Sequence, residues 1–131
     1  MRTYDADVGP PAAEWLATAE ADRIRIVEAY HRRQRIKLPR PTLHATIHVV
    51  VENQIAIGED VVIDAMARLQ REGLSRHESL HAVGMILTEQ LYGLLKGNIA
   101  PGSDPNSRYR ERVQHLSADD WRNSGNDEQA G

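Results

Sequence analysis

The sequence predicts an all-α protein: a bundle of about four helices followed by a loop-rich C-terminal tail. Three observations predict it. Apolar residues recur at helical spacing in four separate stretches, glycine or proline punctuates the chain at the ends of those stretches, and a Ser-x-x-Glu capping box opens the most regular one. A length of 131 residues suits a single domain and buries a core without disulfides. The absence of cysteine excludes a disulfide-stapled scaffold, a thiolate metal site and a cysteine nucleophile.

Residues 1–11 carry Arg2, Asp5 and Asp7 with no apolar run, and read as a flexible N-terminus. Pro10 and Pro11 stand where a first helical turn tolerates proline. Behind them Trp15, Ala19, Ile26 and Tyr30, flanked by Leu16, Arg23 and Val27, predict a first helix over about 12–37. Leu-Pro-Arg-Pro (38–41) stops it, because proline removes a donor and pushes its predecessor out of the helical region. Thr42 as N-cap and Gly58 as C-terminal stop delimit a second helix over about 43–57. Its β-branched run from Ile47 to Ile57 would also suit a strand, but the cap, the glycine stop and the nearly all-round apolar surface favour a buried helix.

The third helix, about 59–72, opens with Glu59 and Asp60, buries Val62, Ile63, Met66 and Leu69, and stops at Gly73. In the fourth, about 76–96, Ser75 caps and Glu78 reaches back, the stripe is Leu80, Val83, Leu87, Leu91 and Leu94, and Gly97 terminates. The bundle domain is thus 12–97. Residues 98–122 form a loop and a short helix (about 107–115) packed on it, with Trp121 as anchor, and 123–131 have the composition of a disordered tail.

Charge gives little direction. Lys and Arg total 16 against 19 acids, a net charge of −3, with no general attraction for nucleic acid. The basic run Arg-Arg-Gln-Arg-Ile-Lys (32–37) has no interleaved aromatics and reads as a solvated helix end, where cations favour the dipole. No secretory signal is visible, and the longest uncharged run, Pro41 to Val51, is far below the roughly 20 residues that span a bilayer. The expectation is a soluble cytoplasmic protein without membrane or nucleic-acid partners.

The histidines carry the functional signal. Of six, four fall in two i, i+4 pairs, His44/His48 and His77/His81, where random placement gives about 0.2 such pairs. Residues four apart share a helical face, and two imidazoles on one face chelate a single ion. Both pairs sit in the frame Ser/Thr-x-His-x-Ser/Thr-Ile/Leu-His, so each begins at the second helical position after a capping hydroxyl. There the positive end of the dipole favours neutral, ligand-competent imidazole. Glu52 follows four residues after His48, and Glu89 eight after His81, each on nearly the same face as its pair. If the second and fourth helices pack together, His44, His48, His77, His81, Glu52 and Glu89 form one ligand set for a transition metal, with Zn or Fe favoured.

Alternatives remain open from the residues alone. The histidines could form a metal-free buried network with Thr46, Ser79, Gln54 or backbone, in a non-catalytic module that pairs as a homodimer through its apolar helices. His77–His81 also spells His-Glu-x-x-His, the zinc-hydrolase motif with Glu78 as general base. Against that, Glu78 already serves the capping box and no strand precedes the helix to dock a peptide. A hemerythrin-like order is present too, with His31, His48/Glu52, His77/His81 and His115/Asp120 as its pieces.

Three segments, Leu-His-Ala-Thr-Ile-His-Val-Val-Val-Glu-Asn-Gln (43–54), Gly-Leu-Ser-Arg-His-Glu-Ser-Leu-His-Ala-Val-Gly (73–84) and Tyr-Arg-Glu-Arg-Val-Gln-His-Leu-Ser-Ala-Asp-Asp-Trp-Arg (109–122), carry a resemblance. They are similar to a family of small bacterial helical proteins known only as a domain of unknown function. The likeness spans roughly 30–122, and the His pairs, the Glu-Asn-Gln run and Glu89 are its most specific parts. His31 sits where relatives carry the first His of a further His-x-x-x-His, and the second position here is Arg35. The resemblance implies the site and no particular reaction.

Overall fold

The computed structural model describes residues 3–35, 40–97, 102 and 104–124, and among these the protein is all-helical with no strand. Seven helices follow one another: α1 (Ala12–Ala17), α2 (Glu20–Arg33), α3 (Pro41–Ala56), α4 (Asp60–Arg71), α5 (Arg76–Leu95), α6 (Pro105–His115) and α7 (Ala118–Asn123). The β-branched segment is helical, as its buried surface requires. The predicted disordered tail lies, from 125 onward, outside the described residues.

The predicted first helix is two helices. Thr18 and Ala19 are extended, and Arg23 makes the break stable by donating from Nε to the Thr18 carbonyl and from Nη2 to that of Leu16. Asn53 of α3 then pins both pieces, its Oδ1 accepting from Trp15 Nε1 at 2.8 Å and from Arg23 Nη1 at 2.9 Å. α2 ends at Arg33, short of the predicted 37. α3 begins earlier than predicted, with Pro41 at its first position and no side-chain cap. Thr42 therefore does not cap it; its hydroxyl donates to Glu28 instead. On α5 the predicted capping box is present in both directions, Ser75 Oγ accepting from Glu78 N and Glu78 Oε1 from Ser75 N.

α3 and α5 occupy the middle. α3 packs on α1, α2, α4 and α5, while α5 packs on α3, α4, α6 and α7. This central position accounts for two helices that are apolar on nearly every side. Where they cross, Gly84 of α5 faces Ile47 of α3, and a Cβ at Gly84 would lie 3.1 Å from Ile47 Cγ2. The missing side chain lets the two histidine-bearing helices approach closely.

The N-terminal segment is the largest departure from expectation. Tyr4 and Ala6 are buried, at 2% and 0% exposure. Tyr4 packs on Trp15, Tyr30 and His48, and its carbonyl accepts from Arg33. The Ala6 carbonyl accepts from Arg76 Nη1, and Asp7 Oδ1 accepts from His77 N, so residues 4–7 lie across the start of α5. At the other end Trp121 is buried, the anchor its position predicted, and α7 has its own capping box between Ser117 and Asp120.

Candidate metal centre

α2, α3 and α5 bring five imidazoles together. The α3 pair and the α5 pair face each other across the crossing, with ring centroids 4.6 Å apart for His44 and His81 and 5.3 Å for His48 and His77. His31, near the end of α2, completes the group at 4.9 Å from His44 and 5.2 Å from His48. Four of the five, His31, His44, His48 and His81, each offer one ring nitrogen such that all four atoms lie within 4.8 Å of one another. Such a cluster can hold a metal ion. For bonds of 2.0–2.1 Å in a tetrahedral site, ligand nitrogens stand about 3.4 Å apart, so small side-chain shifts close the set. His44 Nε2 and His81 Nε2 are already 3.2 Å apart, a separation that suits either one N–H···N bond or two lone pairs on one ion.

Burial and hydrogen bonding distinguish these histidines from ordinary surface ones. His31 and His48 are each 3% exposed and His81 9%. Neither ring nitrogen of His31 has a hydrogen-bond partner among the described residues, and the same holds for His48 Nδ1 and His77 Nε2. Buried polar atoms are nearly always satisfied, so several orphans in one place call for a ligand. Thr46, Ser79 and Gln54, the partners a self-contained network would use, are committed elsewhere. The two hydroxyls bond to carbonyls of their own helices, at Thr42 and Ser75, and Gln54 Oε1 accepts from Tyr109.

The electrostatics favour the neutral ring at His31, His44, His48 and His77. Burial, reinforced by the like charges that His44 and His77 would carry, pushes the His31 imidazole down to about 3. Burial lowers His44 to about 4, with His77 adding to the effect. His48 lies well below its usual range because burial and the four surrounding histidines all oppose its charge. Burial also lowers His77, against the opposing pull of Asp7, Asp5, Glu78 and Glu52. Neutral imidazole is the ligand form.

Behind His48 stands a buried polar chain. His48 Nε2 is 2.9 Å from Tyr4 Oη, and that hydroxyl donates to Glu52 Oε2. With its proton given to Glu52, Tyr4 accepts at His48, which puts the imidazole proton on Nε2 and leaves the Nδ1 lone pair for a metal. Glu52, 1% exposed, is also held by Arg76, with Nη1 on Oε2 at 2.9 Å and Nη2 on Oε1 at 2.8 Å. Burial opposes and Glu52 supports the Arg76 charge, with a net upward shift; burial and the Glu52 charge hold the Tyr4 phenol well above its usual value.

The predicted residues are thus unevenly used. His44, His48 and His81 join the cluster directly, while His77 stacks on His48 and His31 outside the four-nitrogen set. Glu52 reaches the cluster only through Tyr4, because both its oxygens are engaged. Glu89 does not reach it: its exposed carboxylate pairs with Arg112. Glu78 is turned back to the Ser75 amide. His115 is exposed at the end of α6 and Asp120 serves the α7 cap, so the hemerythrin-like arrangement is not assembled. Sequence pattern does not single out Tyr4 and Arg76, and it brings in His31 only as the first-helix piece of the hemerythrin-like order and of the partial His-x-x-x-His. For His31 a signal existed, since it falls four residues after Val27 on the buried stripe of α2.

The chain matches no family model, no curated protein and no solved structure.

Proposed function

We propose that this is a metal-binding protein whose ion sits among His31, His44, His48 and His81, with zinc or iron the ion favoured. The observation that carries the reading is His31: a histidine 3% exposed with both ring nitrogens unpartnered among the described residues, in the midst of other imidazoles. Such an arrangement costs stability unless a ligand satisfies it. An all-imidazole set disfavours magnesium and calcium, which take oxygen donors, and suits zinc, iron, copper or nickel. Four nitrogen ligands match the tetrahedral preference of zinc. Glu52 acts behind His48 and Tyr4 as an orienting group, which replaces its predicted role as a ligand. The Tyr4–His48 bond and the His44–His81 contact support a second reading, a metal-free histidine network in a non-catalytic module. A hydrolase using Glu78 finds less support, since its carboxylate would have to leave the capping box.

Elemental analysis of untagged protein, together with His31→Ala, decides between metal and network. The expected result is about one equivalent of transition metal per chain in the natural sequence and its loss in the variant. Less than roughly a tenth of an equivalent, with no thermal shift on adding Zn, Fe, Mn or Ni, overturns the metal reading.

A further inference from the structure

We propose, resting on that metal site, that the bound ion keeps a position for a small monoanion, and that His77 is the anion's hydrogen-bonding partner. The four ligands bring no negative charge to the ion. Four neutral imidazoles leave the charge of a divalent ion uncompensated in a buried site. The nearest buried carboxylate cannot compensate it, because Glu52 is neutralised by its two-point pair with Arg76. The other acids facing His77 keep their charges but are held away from the ion by backbone amides. Asp7 accepts from His77 N, Glu78 from Ser75 N and Asp5 from Asp7 N, and Asp5 and Asp7 stand in solvent, where their charges are screened.

His77 Nε2 is buried and unpartnered among the described residues, yet His77 is not one of the four histidines whose nitrogens converge. Its ring stacks on His48 at 5.3 Å and 18° and on His31 at 5.9 Å and 22°, and meets His81 edge-on at 4.5 Å. A polar atom held beside a ligand set, without belonging to it, is placed to bond something that the ion itself holds. An ion held by four imidazoles takes such a group as a fifth ligand, by expanding from tetrahedral to five-coordinate geometry. A monoanion the size of azide or formate supplies the missing charge and satisfies the His77 nitrogen together.

Cobalt(II) substitution followed by azide titration tests this, with the visible absorption of the metal as readout. In the natural sequence, azide should shift the cobalt bands with one-to-one saturation. His77→Ala should still bind one cobalt and keep its helical circular dichroism, but its azide affinity should fall by about tenfold or more. His77→Gln, which retains an amide donor, should recover part of that loss. Cobalt bands indifferent to azide overturn the proposal, as does an unchanged azide affinity in His77→Ala. Loss of cobalt stoichiometry in both variants overturns it too, since His77 would then be a ligand. Failure of the natural sequence to take up cobalt refutes the metal site itself, a result distinct from each of these.

Discussion

Tyr4 shows how one side chain from a loop sets the chemistry of another on a helix. Its hydroxyl stands between His48 and Glu52, and only one arrangement of protons satisfies all three groups once the phenol donates to the carboxylate. The result fixes which nitrogen of His48 is free. Removing that hydroxyl leaves His48 Nε2 without its partner while Glu52 keeps Arg76. Tyr4→Phe should therefore weaken metal affinity by about 10- to 100-fold, the usual effect of losing a group that orients a ligand, with little change in metal stoichiometry at saturation. Competition with a chromophoric chelator measures it. An affinity equal to that of the natural sequence would show that His48 needs no orienting partner.

At the scale of helices, the site depends on how closely α3 and α5 cross. Gly84→Val adds a Cβ 3.1 Å from Ile47 Cγ2 and two methyl groups beyond it. The expected cost is about 1–3 kcal/mol in urea denaturation, with weaker metal binding because the two His pairs are pushed apart. An unchanged denaturation midpoint would mean the crossing has slack. Sequence pattern captured these helices because local signals define them: the Ser75–Glu78 box, the left-handed glycines at 58, 73 and 97, and the apolar stripes. What it missed depends on contacts distant in the chain. The break at Thr18 lies inside a continuing apolar stripe, and only Arg23 and Asn53 reveal it. Tyr4 and Ala6 look like part of a polar terminus until α3 and α5 supply the surface they cover. The paired histidines are legible through their spacing, whereas His31, unpaired on its helix because Arg35 stands four residues on, is legible only as a piece of the hemerythrin-like order and by its place on a buried face. Glu89 was misplaced because it followed the helical phase of its pair but lay two turns farther along, where Arg112 claims it.

For the whole molecule, the buried histidines couple stability to pH. His31 and His44 sit at about 3 and about 4 when folded, against 6.5 when unfolded, and His48 and His77 are shifted in the same direction. The unfolded chain therefore binds more protons over that interval. Stability contributed by these groups is fully present above about pH 6.5 and declines as pH falls toward about 4 and then 3. In chelator, urea midpoints should fall steeply between about pH 7 and pH 4.5; a flat profile would place the imidazoles in water. Metal adds to this in the same direction, because protons compete with the ion for each ring. The most direct measurement of the central claim is the melting temperature of untagged, metal-loaded protein with and without EDTA at two pH values. A metal held by His31, His44, His48 and His81 predicts a clear drop with EDTA at about pH 7.5 and a much smaller one at about pH 5.5. No effect of EDTA at the higher pH, or an effect that grows as pH falls, would contradict it.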